Sequence, residues 1–202
     1  MSNAHAAPGA TFALAGAGFA LDPGVDMLAL LGRCVDLELE AAEVYAILAR
    51  RAAGDAELVA LWSTMAEDER AHARKLATWR ELLAAESLDH PPQASGFSAA
   101  IAALEMLLKE CLDAAVDADE EASFELALGL EASELDAIYT SLLHASPLAR
   151  FPDFAVTVQH ETGGHRTRLL EVARRRCRSD RARLRLAILA AHEHRTGHEH
   201  RK

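Results

Sequence analysis

Aromatic residues, cysteines and long apolar runs are all scarce in this chain, and each scarcity removes a class of protein. Aromatics make up 5% of 202 residues although half the residues are hydrophobic, so the apolar content is carried mainly by Ala and Leu. With abundant Glu, that mixture favours helix over sheet. Cys34, Cys111 and Cys177 are odd in number, far apart and never in a Cys-x-x-Cys pair. They cannot build a four-thiolate iron or zinc site within one chain, and they fit a reducing, cytoplasmic compartment. No apolar run reaches the roughly 18 residues of a membrane span. The apolar stretch from Ala10 to Leu21 has no Lys or Arg before it, so neither a membrane partner nor a secretory signal is expected.

Basic residues are also scarce over most of the chain. Residues 1–149 hold 8 basic and 25 acidic residues, a net of −17, whereas residues 150–202 hold 13 and 6, a net of +7; together they give the formal charge of −10. An acidic body with a basic tail is not expected to bind nucleic acid.

Residues 1–25, rich in Ala and Gly and closing on Asp22-Pro23-Gly24, read as a flexible arm ending in a turn. Helical periodicity then predicts a first helix over 26–53 with Asp26 as N-cap, and a second from Asp55 to about residue 85. Residues 86–97, with Pro91-Pro92 and Gly96, break the pattern. A shorter helix over 98–116, with Ile101, Leu104, Leu108, Cys111, Leu112 and Ala115 on one face, completes a long crossover. The third long helix is predicted over 119–145, ended by Ser146-Pro147, and the fourth over 152–176, with Pro152 in its first turn. Beyond it, seven Arg fall within residues 174–185, and residues 177–202 read as a basic, His-rich tail with a C-terminal basic helix.

The chemistry lies in what the four long helices point inward. At roughly 100° per residue, Glu69 and His72 share a face with Leu58, Leu61, Met65, Leu76 and Leu83. Glu38 shares one with Met27, Leu31, Cys34 and Tyr45. Glu131 and Glu134 share one with Phe124 and Ala127. Glu161 and His165 share one with Leu169 and Val172. Five carboxylates and two imidazoles thus converge, with no inward Arg or Lys expected beside them. Such a cluster cannot stay charged without cations. Oxygen-rich donor sets with a few imidazoles suit iron or manganese, with zinc as competitor. Gly163-Gly164 weakens the fourth helix beside His165, which predicts a close helix approach or a bulge there.

Glu38, Tyr45 seven residues later and Glu69-x-x-His72 together resemble the first half of a rubrerythrin-type, ferritin-like di-iron domain, over about residues 26–176. That resemblance implies an all-α four-helix bundle with a long crossover containing a short helix between helices 2 and 3. It implies two iron ions, with Glu38 and Glu131 as terminal ligands, Glu69 and Glu161 bridging, His72 and His165 capping, and Glu134 as an extra carboxylate. O2 or H2O2 would be the reaction partner, through ferroxidase chemistry or peroxide reduction, and Tyr45 would be a redox or hydrogen-bonding neighbour of the metals. The chain departs from the family in having Glu161-x-x-x-His165, with Thr162 in the usual ligand position. It also has Ile138 where a counterpart of Tyr45 would stand, and it lacks the thiolates of a rubredoxin domain. A homodimer is the default expectation for such a bundle. Iron storage within a larger assembly and hydroxylation are rival activities. A metal-free or zinc-bound bundle serving as a structural or interaction protein is the alternative from a different class.

Overall fold

The structure, a computed structural model, describes residues 26–85, 97–133 and 152–199. The described residues form six helices and no strand: α1 (Met27–Arg51), α2 (Ala56–Ala85), α3 (Phe97–Ala115), α4 (Glu120–Glu131), α5 (Pro152–Arg176) and α6 (Asp180–Glu199). The fold is therefore all-α. None of the helices is long and apolar enough to cross a membrane.

Helix starts follow local side-chain chemistry. The Asp26 carboxylate accepts from the Leu28 N–H, that of Asp55 from Glu57 and Leu58, and that of Asp119 from Ala122. Each satisfies amide donors that the first helical turn leaves without partners. The Ser179 hydroxyl does the same for Ala182 at the start of α6.

α1 and α2 pack along much of their length, and α3 lies against α1. Leu30, Leu37, Val44 and Leu48 of α1 are buried with Trp62, Met65 and Trp79 of α2 and with Ile101 and Leu108 of α3. Phe124, Ala127 and Leu128 bring α4 into the same core, and Leu169, Leu170 and Ala173 bring α5. Trp62 lies at the junction: it stacks on Tyr45 with centroids 6.2 Å apart and planes 8° apart, and meets Phe124 at 5.2 Å.

One expectation is corrected. The third long helix does not run continuously to residue 145: α4 ends at Glu131, and Ala132 is its C-cap. The Ser133 N–H and hydroxyl both donate to the Leu130 carbonyl, and the Arg166 guanidinium donates to the Glu131 carbonyl at 2.7 Å. A continuing helix would need that carbonyl for the amide of residue 135, so a tertiary contact closes the helix. Leu135, Ile138 and Leu142, expected on its inward face, lie outside the described residues.

The expected C-terminal basic helix is present as α6, and it is docked on the rest of the fold. The chain breaks between Cys177 and Ser179, where the Arg178 and Ser179 amides donate to the Glu121 carboxylate, and α6 then packs on α4 with Ala182 and Leu189 buried. Gly129 makes the approach possible: a Cβ there would meet the Arg185 guanidinium, which donates to the Glu125 carbonyl. Arg176 meanwhile binds Asp55 and Glu57 at the start of α2 and Glu120 at the start of α4. These contacts hold Asp55 below its usual carboxylate range, chiefly through the Arg176 hydrogen bond.

Candidate metal centre

Four helices deliver one buried polar cluster. Glu38 from α1, Glu69 and His72 from α2, Glu131 from α4 and His165 from α5 are each at most 8% exposed. Periodicity put all five inward, and the core residues around them, from Cys34 and Leu37 on α1 to Met65 and Leu76 on α2, hold them there. Of the remaining expected ligands, Glu134 lies outside the described residues. Glu161 is on α5, but its side chain lies outside them as well. Because α4 stops at Glu131, the expected pairing of Glu131 and Glu134 on one continuous helix does not hold.

Glu69 is the hinge of the arrangement. Its Oε2 is 2.9 Å from His72 Nδ1, and its Oε1 is 4.0 Å from His165 Nε2, so its two oxygens face two different imidazoles. His72 Nδ1 also lies 3.9 Å from Glu38 Oε2. The imidazole rings are 5.3 Å apart, inclined at 52°. One ligand atom from each of Glu69, His72 and His165 can be chosen so that all lie within 4.8 Å of one another. Opposite ligands of an ion with bonds of about 2.1 Å are separated by roughly 4.2 Å, so these donors need only a small inward adjustment to share an ion. In donor chemistry and spacing the residues fit a metal.

Glu131 is engaged from three sides. Tyr45 donates its hydroxyl to Oε1 at 2.8 Å, His165 Nε2 lies 2.9 Å from Oε2, and Arg166 Nε is 3.4 Å from Oε2. Burial by itself would push the Glu131 carboxyl up, but His165, Arg166 and the Tyr45 hydrogen bond together hold it well below the usual range. Tyr45 is pushed far above its ordinary value, first by burial and then by the negative charge of Glu131 and Glu69. At neutral pH it is a hydrogen-bond donor that orients Glu131.

Arg166 corrects the expectation that no cation lies inward beside the cluster. Its side chain is 20% exposed and reaches Glu131 from the residue next to His165. Among the described residues Gly164 does not mark a close helix approach: it is exposed, and the one side chain near a Cβ placed there is that of Arg168.

The five donors, Tyr45 and Arg166 surround a cavity of about 30 Å³, room for a water or an ion and too little for an organic molecule. A larger cleft of about 380 Å³ lies between α1 and α3, lined by residues including Arg33, Asp36, Glu40, Glu105 and Lys109, with Arg33 paired to Glu105.

Cys34, one helical turn before Glu38, is pushed up to about 12 by burial and by the Glu38 charge; Cys111 and Cys177 are pushed up to about 11, chiefly by burial. Thiolate is the reactive form, so a disulfide reagent at pH 8 should label the native protein slowly and all three thiols rapidly in denaturant. Fast labelling of one native thiol would show that its site opens. The cluster has to be interpreted through its own donors, because no family model, no curated protein and no solved structure matches this chain.

Proposed function

We propose that this protein is a ferritin-like, rubrerythrin-type di-iron carboxylate protein that binds iron and reacts with O2 or H2O2, as a ferroxidase or in peroxide reduction. The observation that carries this reading is the convergence of Glu38, Glu69, His72, Glu131 and His165 from four helices into one buried cluster. Three carboxylates and two imidazoles gathered inside a core are costly to bury unless cations offset the charge of the carboxylates.

Glu38, Glu69, His72, Glu131 and His165 would hold the metal, and the undescribed side chains of Glu134 and Glu161 are the further candidates. Bound iron would supply electrons to the oxidant. The chain's own contribution is placement. Glu69, with an oxygen toward each imidazole, is suited to bridge two ions. Tyr45 fixes Glu131 through Oε1. The cavity is too small for an organic molecule, which disfavours hydroxylation of an organic substrate. Three buried, unpaired thiols fit a cytoplasmic setting.

The second reading, a metal-free or zinc-bound structural bundle, is favoured by one observation: Glu131 already has Tyr45, His165 and Arg166 as partners. Anaerobic loading with excess Fe(II), followed by gel filtration and metal analysis, separates the two. The di-iron reading expects two irons per chain and a higher melting temperature than in chelator. A ligand at 100 times its dissociation constant stabilises by about 2.7 kcal/mol. No bound iron and a melting temperature unmoved by chelation would leave the structural reading standing.

A further inference from the structure

Arg166 is the feature that the proposed function does not absorb. The residue after a presumptive ligand ordinarily points about 100° away from it on a helix. Arg166 nevertheless curls back to Glu131: its Nη2 donates to the main-chain carbonyl at 2.7 Å, and its Nε lies at ion-pair distance, 3.4 Å, from the carboxylate. The second contact is to the last residue of α4, where the helix presents its negative pole. The guanidinium is thus anchored by a helix terminus as well as by a side chain, and is not a loose surface charge that a metal would brush aside.

We propose that Arg166 makes the two metal positions unequal: the first ion loads between Glu69, His72 and His165, and the second must compete with the Arg166 guanidinium for Glu131. This rests on the metal-binding reading and adds an order of loading to it. Glu69, His72 and His165 form the set whose donor atoms already lie close enough to share an ion. Glu131 is held by Tyr45 at Oε1 and by His165 at Oε2, and Arg166, the one arginine paired with it among the described residues, faces that same Oε2. An ion bound by His165 withdraws that imidazole from Oε2 but leaves the guanidinium in place. A second divalent ion on Glu131 would then face a fixed positive charge across a shared carboxylate, and like charges brought together repel. Arg166 is in this sense a positioning residue, a resident positive charge beside Glu131 that a second ion has to meet.

The test is anaerobic calorimetric titration of the full chain with Zn(II), and separately with Fe(II), for wild type, Arg166→Gln and Arg166→Lys. Wild type should bind one equivalent tightly and a second in a distinct, weaker step. Arg166→Gln should tighten the second step by at least about tenfold and leave the first within about threefold. Arg166→Lys keeps the charge without the planar guanidinium, and its second step should stay near wild type. Two equal tight steps in wild type would overturn the proposal without any variant, so it does not depend on Arg166→Gln folding. An unchanged second step in a folded Arg166→Gln, or equal tightening in the Lys variant, would overturn it while leaving the metal site intact. If no variant binds either metal, the metal reading itself fails, and the loading order with it.

Discussion

Trp62→Ala is expected to destabilise the protein by about 3–5 kcal/mol, the range for emptying a buried aromatic site, and to lower the midpoint of urea unfolding accordingly. The indole is 1% exposed and lies between Tyr45 of α1 and Phe124 of α4. Alanine would remove contacts among three helices at once, and the neighbours are large rings held by their own packing, so little collapse into the void is available. Domains of this kind are stable by only about 5–15 kcal/mol, so the loss is a large share of the total. Trp62→Phe retains most of the packed volume and should cost much less. The defect should also reach the polar cluster, because Tyr45 stacks on Trp62 on one side and donates to Glu131 on the other. If Trp62→Ala unfolds at the wild-type urea concentration, this junction is not a keystone of the core.

Glu131→Gln should cost the metal-free protein about 3 kcal/mol at pH 7. That is the low end of the range for breaking a buried ion pair, chosen because Arg166 keeps partial contact with solvent. Glutamine matches the shape and still accepts from Tyr45 but removes the negative charge that faces His165 and Arg166. The pH dependence follows from the sign of the shift. The folded carboxyl is depressed to about 2 from an ordinary 4.5, so the unfolded chain takes up the proton first. The contribution of Glu131 is therefore fully present above about 4.5 and is lost as pH falls from there toward 2. Urea titrations of wild type and Glu131→Gln in chelator should diverge at pH 7 and draw together at the acid end of that window. A gap that stayed constant between pH 6 and pH 3 would mean that the charge of Glu131 contributes nothing.

Most of the described inward pattern was legible in the sequence because it depends on local rules. Asp26 and Asp55 mark helix starts through caps that need only neighbouring amides, and the expected starts of α1 and α2 agree with the structure to within a residue. Periodicity put Glu38, Glu69, His72, Glu131 and His165 inward, and all five are buried. What failed depended on reach or on distant partners. Arg166 was invisible to a helical wheel because a long side chain can leave the direction its Cα sets. The stop after Glu131 was invisible for the related reason that Arg166 takes the carbonyl which would have extended α4. The C-terminal helix did carry a signal. A basic helix was expected there and is present, but seven arginines hid the buried face, with Ala182 and Leu189, by which it docks on α4.

The attachment of that helix has a consequence for how the molecule responds to salt. α1, α2 and α3 are joined mainly through apolar surface. The ends of α5 and the start of α6 are fastened in large part by ion pairs from Arg175, Arg176 and Arg181 to acids on or beside α2 and α4. A sulfate salt strengthens apolar burial while shortening the reach of charge to about 3 Å at 1 M ionic strength. One solvent condition therefore tightens the shared apolar core, to which Leu169, Leu170, Ala182 and Leu189 also belong, while it loosens only these exposed charge clasps at the junction of α5 and α6.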